Sequence, residues 1–149
     1  MQLSKNFTLA DLTVTGARDK ETGLPLDNTP DDAQIENLRR LAETVLEPLL
    51  AEYPHAHVNS AFRSPEVNTA IGGSKTSEHM NGNAADITVR GVSPIDVAKW
   101  AVEAIPDYDQ VICEWGWTHI GLRDTPRHQQ MTAKKGPDGK AQYSPGFHA

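Results

Sequence analysis

The stretch SEHMNGNAAD, Ser77 to Asp86, sets His79 and Asp86 seven residues apart across a short glycine-containing loop, and a further histidine, His119, follows in WTHIGL. Two imidazoles and one carboxylate make a suitable donor set for a single Zn²⁺ ion, with a fourth position open to water. An open set of this kind is catalytic in type, because structural zinc is closed by four protein ligands. Cys113 is the single cysteine, which excludes both a multi-cysteine zinc site and an internal disulfide framework. Taken one at a time, each of the three residues reads first as a solvated or hydrogen-bonded surface group. Their joint placement is what points to a metal.

That placement depends on the elements around them. DNTPDDAQIENLRRLAETVLEPLLAEYP opens with Thr29 as N-cap, Pro30 at the first helical position, and Asp31 and Asp32 where the helix dipole favours negative charge. Ile35, Leu38, Leu41, Val45 and Leu49 recur at three- and four-residue steps, which predicts an amphipathic helix kinked near its end by Pro48. SPIDVAKWAVEAIP repeats the design, with Ser93 as cap and Pro106 as stop. Four stretches have strand character: HVNSAF (57–62), AADITV (84–89), DQVICE (109–114) and WTHIGL (117–122). The order predicts an α+β domain, a small and mainly antiparallel sheet with helices packed on one face. Alternation puts Ile87 and Val89 on one face of AADITV and Asp86 on the other; in WTHIGL, Ile120 and Leu122 oppose Trp117 and His119. If the apolar faces meet the helices, Asp86 and His119 emerge together on the free face, and Gly82 lets the loop carrying His79 fold back toward them.

Bulk properties bound the partners. At 149 residues the chain is expected to form a single domain over 1–149, with an irregular, partly mobile tail from about residue 124. A net charge of −6 with scattered Lys and Arg argues against a nucleic-acid surface. No apolar run reaches the length of a membrane span, and MQLSKNFTLADL lacks the apolar core of a secretory signal, so the chain is expected to be cytoplasmic as synthesised, and monomeric. His55 and His57 form an H-x-H pair with no carboxylate at matching spacing and read as surface histidines, and Cys113 as a small buried residue. Lys134, Lys135 and Lys140 read as a solvated tail. Ser77 suits either a hydrogen bond to ligand or substrate, or plain turn chemistry. Trp115 and Trp117 suit either a substrate groove, for which Trp117 is the candidate, or cross-strand packing.

These residues also form a recognisable pattern. SEHMNGNAAD reads as S-x-H-x-x-G-x-A-x-D, and with the distal W-x-H of Trp117 and His119 it resembles the zinc D-alanyl-D-alanine carboxypeptidase family of peptidoglycan peptidases, which includes many phage endolysins. SAFRSPEVN looks like the family's S-x-[YF]-R-S-x-x-x-N segment, and FTLADL and DNTPDDAQIENLRRLAETVLEPL resemble its single-domain branch. The similarity runs to about Leu122. It implies that His79, Asp86 and His119 bind zinc, that Arg63 contacts a substrate carbonyl or carboxylate, and that a general base precedes the last ligand. Several relatives carry that carboxylate three residues before the final histidine, where this chain has Gly116; Glu114, across the turn EWGW, is the nearest alternative and is assigned as the base.

The expected function is therefore zinc-dependent hydrolysis of peptide bonds in peptidoglycan stem peptides, endolysin-like, on the cell wall after phage-mediated release. Two other readings stand beside it: a carboxypeptidase or dipeptidase on soluble D-Ala-D-Ala peptides, and a non-catalytic zinc-containing module that binds cell wall or serves the phage particle.

Overall fold

The computed structural model describes residues 1–149 and opens with a one-turn helix, α1 (Leu9–Leu12), closed by a Thr8–Asp11 capping box. The long helical region follows as α2 (Asp32–Leu41), a π-helical stretch (Ala42–Leu46) and α3 (Glu47–Glu52). Its N-cap is Asp31, not Thr29. Asp31 Oδ1 accepts from the Gln34 backbone N–H, and Gln34 Oε1 accepts from the Asp31 N–H, both at 2.8 Å. This reciprocal pair satisfies two otherwise orphaned donors, whereas Thr29 turns its hydroxyl to Asp27 at 2.6 Å. The expected disturbance by Pro48 takes the form of the wide π turn just upstream, which keeps Leu41, Val45 and Leu49 buried on one face.

Strand β1 (Ala56–Ser60), α4 (Pro65–Ala70) and a 3₁₀ turn (Glu78–Asn81) lead into β2 (Ala84–Val89). Helix α5 (Pro94–Ala104) starts on the expected Ser93 cap, and β3 (Tyr108–Cys113) and β4 (Thr118–Leu122) form the expected hairpin. Val97, Ala98 and Ala101 of α5 and Leu38, Leu41, Leu46 and Leu49 of the long helical region pack against Ile87, Val111 and Ile120 of the sheet. Fully burying each of the Val, Leu and Ile side chains contributes about 1.5–3 kcal/mol, so this face fixes which way every strand is turned. The sheet carries its helices on one face, as the alternation requires, and its other face is free for chemistry.

The C-terminal region departs from expectation. Where an irregular tail from residue 124 was expected, β5 (Gln129–Lys135) and β6 (Ala141–Pro145) extend the sheet to six strands in the order β1-β2-β4-β3-β5-β6. β5 pairs in parallel with β3 and antiparallel with β6; all other pairings are antiparallel. Only Thr132 and Ala133 of β5 are buried, so the segment has little apolar pattern to announce it. Backbone pairing to the open edge of β3 holds it instead. Gly139, at φ +81°, shapes the turn between the two strands. No helix is long and apolar enough to cross a membrane.

Candidate metal centre

Register brings the ligands together. Asp86 on β2 lies directly opposite His119 on β4, with Ser60 of β1 on its other side and Ile112 of β3 beyond the histidine. These residues form one row across the free face. His79 reaches the row from the 3₁₀ turn. Ser77 caps that turn by accepting the His79 N–H at 3.2 Å, and Gly82 ends it at φ +76°. A Cβ on Gly82 would stand 2.7 Å from the Gln34 carbonyl oxygen, a clash added to an unfavourable backbone conformation. Helix α2 holds the turn in place: Gln34 Nε2 donates to the Met80 carbonyl at 3.0 Å and Asn37 Nδ2 to that of Asn81 at 2.9 Å.

One ligand atom each from His79, Asp86 and His119 lie within 4.8 Å of one another. His79 is 1% exposed. Its Nδ1 donates to the Ala61 carbonyl at 2.6 Å, and since a carbonyl can only accept, the proton sits on Nδ1 and Nε2 keeps its lone pair. Burial pushes the His79 pKa down, the nearby carboxylate only partly opposing it, which favours the neutral ring. Burial alone would raise Asp86, but interaction with the two imidazoles overcomes it and holds the carboxyl well below the usual carboxylate range. Asp86 Oδ1 thus stands 3.2 Å from His79 Nε2 and 3.0 Å from His119 Nδ1. A buried lone pair of a neutral imidazole facing an ionised oxygen is an arrangement that a bound cation satisfies. The donor set therefore fits Zn²⁺, with two nitrogens and one oxygen and a hydrogen-bonded partner behind His79.

The remaining expected residues are placed as follows. Arg63 donates from Nη2 to Asp86 Oδ2 at 2.9 Å, from Nε to Ser60 Oγ at 3.1 Å and from Nη1 to Asn68 Oδ1 at 3.2 Å. Its guanidinium holds the ligand carboxylate while bordering the groove. Glu114 follows β3 on the same face as Gln110 and Ile112 and borders the groove with His119. Burial pushes its carboxyl up to about 7, His119 opposing and Asp86 adding to the rise. Gly116 lies in the turn and borders a separate small cavity of about 90 Å³ with Trp117. Trp117 packs edge-on against Trp115 at 5.0 Å, and its buried indole N–H, though near Glu114, has no hydrogen-bond partner of proper geometry. His57 stays on β1, paired with Asn59 at 2.8 Å and away from the metal row. Cys113 is buried in the core.

The groove along this face encloses about 980 Å³. Its far wall comes from residues that sequence reasoning left in the tail: Gln129 and Met131 of β5 and Tyr143 of β6. Asn68 was also missed, although SAFRSPEVN contains it. It is buried, supports Arg63 and donates to the Ser74 carbonyl at 2.8 Å.

No curated protein matches the chain. The family model described as Peptidase M15 matches residues 5–121, a span that contains all three donors, and the chain belongs to this zinc D-Ala-D-Ala carboxypeptidase-type family of metallopeptidases acting on peptidoglycan-related peptides.

Proposed function

We propose that this chain hydrolyses peptide bonds within peptidoglycan stem peptides, as an endolysin-like lytic enzyme acting on the cell wall, with zinc held by His79, Asp86 and His119. The observation that carries the reading is the convergence of three metal-type donors and a half-buried carboxylate, Glu114, in one groove. Bound there, zinc would supply Lewis-acid polarisation of the scissile carbonyl and a water acidified toward neutral pH.

The chain's own groups would do the rest. Glu114 takes the proton of the attacking water on its carboxylate and delivers it to the leaving amine. Burial pushes this carboxyl up to about 7 in the metal-free site, and a bound cation would lower it toward the ionised form that a base needs. Arg63 fixes Asp86, and its N–H groups not bonded to protein are available to a substrate carbonyl oxygen. Ser77 positions the His79 turn, and Trp117 lines the groove.

A groove of about 980 Å³ accommodates more than a dipeptide, which favours a stem peptide over a small soluble substrate. The placement of Glu114 on the site face likewise favours turnover over a purely binding module. The test is digestion of purified peptidoglycan by the zinc-loaded protein, with released amines quantified and fragments identified by mass spectrometry. New amines at one defined stem-peptide bond are expected; intact wall after prolonged incubation with stoichiometric zinc would refute the reading.

A further inference from the structure

At the end of the groove away from Glu114, a β-bulge interrupts the β3–β4 register between Tyr108 and Gln110. Such a bulge re-aims a side chain, and here it turns the Asp109 carboxylate into a fully buried position under two arginines. Asp109 accepts three hydrogen bonds from Arg127: from its backbone N–H at 2.9 Å, its Nε at 3.0 Å and its Nη2 at 2.8 Å. Arg123 Nε stands 3.9 Å from the same carboxylate, and Arg123 Nη2 donates to Glu78 at 3.4 Å. Neither Nη1 group makes a hydrogen bond within the protein, and both arginines border the groove. A guanidinium gripped along one edge by a buried carboxylate presents its other edge in a fixed orientation, the arrangement that suits a carboxylate ligand.

Arg63, Arg123, Arg127 and Lys140 line this groove with Glu78, Asp86 and Glu114, and Asp109 beneath the arginines brings the carboxylates to four. The groove's fixed charges therefore balance, and recognition rests on the guanidinium edges left unbonded. Gln110, which follows the bulge, is two residues from Ile112 in the metal row, a displacement of about 7 Å along the strand. An extended peptide covers that in two or three residues at about 3.3 Å each. Both arginines lie beyond the span of the family match, residues 5–121, while Asp109 that orients them lies within it.

We infer that Arg123 and Arg127, oriented by Asp109, form a subsite for a free carboxylate of the peptide substrate, within about three residues of the scissile bond. The inference deepens the peptidase reading and rests on it for the identity of the substrate.

The experiment uses zinc-loaded Glu114→Gln protein as a slow-turnover background for calorimetric titration. The probes are synthetic stem pentapeptides in two matched pairs, one differing in the D-Glu free carboxylate against its carboxamide, the other likewise at the C-terminus. In one pair the carboxylate form is expected to bind about tenfold tighter or more, the size of a charge-assisted hydrogen bond. Adding Arg127→Gln or Arg123→Gln is expected to reduce that ratio below about threefold. Arg123, held only by long contacts to Glu78 at 3.4 Å and Asp109 at 3.9 Å, carries the test if Arg127→Gln does not fold. Equal affinity within both pairs, or a ratio untouched by both substitutions, would overturn the subsite. Wild-type digestion of the same peptides separates the two claims: cleavage without carboxylate preference refutes the subsite alone, and selective binding without cleavage refutes the catalytic reading alone.

Discussion

Replacing Glu114 by Gln tests the chemistry and the physics of the site at once. The substitution keeps shape and removes the titrating oxygen. If Glu114 moves the proton, turnover of peptidoglycan falls by about 10²–10⁴ while zinc stays bound, because the three donors are untouched. The same change should stabilise the zinc-free fold. Burial raises the carboxyl from 4.5 to about 7, equivalent to about 3 kcal/mol at about 1.36 kcal/mol per unit; residual solvent contact reduces the expected effect to about 1–3 kcal/mol. The sign follows from proton linkage. Between the ordinary value and about 7 the unfolded chain has released this proton and the folded chain still holds it, so rising pH costs wild-type stability across that window and no more above it. The Gln variant lacks this loss, so it should be more stable than wild type at pH 8 and nearly equal to it at pH 4. Chelator-treated protein unfolded in urea at the two pH values reads the stability; amine release with zinc present reads turnover; elemental mass spectrometry reads the metal. Turnover within threefold of wild type in the zinc-loaded variant would show that Glu114 is not the base. Identical stability differences at pH 4 and pH 8 would show that its charge is not strained by burial.

Other outcomes follow from neighbouring groups. His79→Ala, Asp86→Ala and His119→Ala are each expected to lose stoichiometric zinc and wall hydrolysis together, and chelator treatment of wild type to abolish hydrolysis until zinc is restored; a ligand variant with full activity and no zinc would break the assignment. Gly82→Ala forces a side chain into φ +76° and against the Gln34 carbonyl at 2.7 Å, so a loss of about 1–3 kcal/mol in thermal unfolding is expected, together with weaker zinc binding because the turn carries His79. Burial opposes but Arg127 and Arg123 overcome it at Asp109, whose carboxyl is held below its ordinary value. Its stabilising contribution is therefore present above the ordinary carboxylate range and lost as pH falls through the lowered value. Asp109→Asn should flatten that acid limb in denaturation measured from pH 5 down to pH 2.

Much of the site was legible because strand alternation and helix periodicity are local properties of the chain. Asp86 and His119 share a face once Ile87 and Ile120 are turned to the core, and AADITV alone shows the phase. The 3₁₀ turn was foreshadowed by Gly82, whose freedom at positive φ lets His79 fold back. The helix start was misread by two residues, since Thr29 and Asp31 are both acceptable caps in sequence and the capping box with Gln34 decides between them.

By itself, then, the sequence determined the identity of the donors, the face of the sheet they occupy and the family to which they belong, because those follow from residue type and short-range spacing. Tertiary structure alone decided the rest. It set the phase of Glu114, already assigned as the base from the sequence, so that its side chain borders the groove with His119 while Gly116 borders a separate cavity. It turned a polar tail into the groove's far wall through β5 pairing with the β3 edge, a backbone interaction that leaves no hydrophobic signature. It also placed Asp109 under Arg123 and Arg127, a juxtaposition made by a bulge and by strands distant in sequence. Contacts of that kind depend on pairing across the fold, which no local pattern encodes.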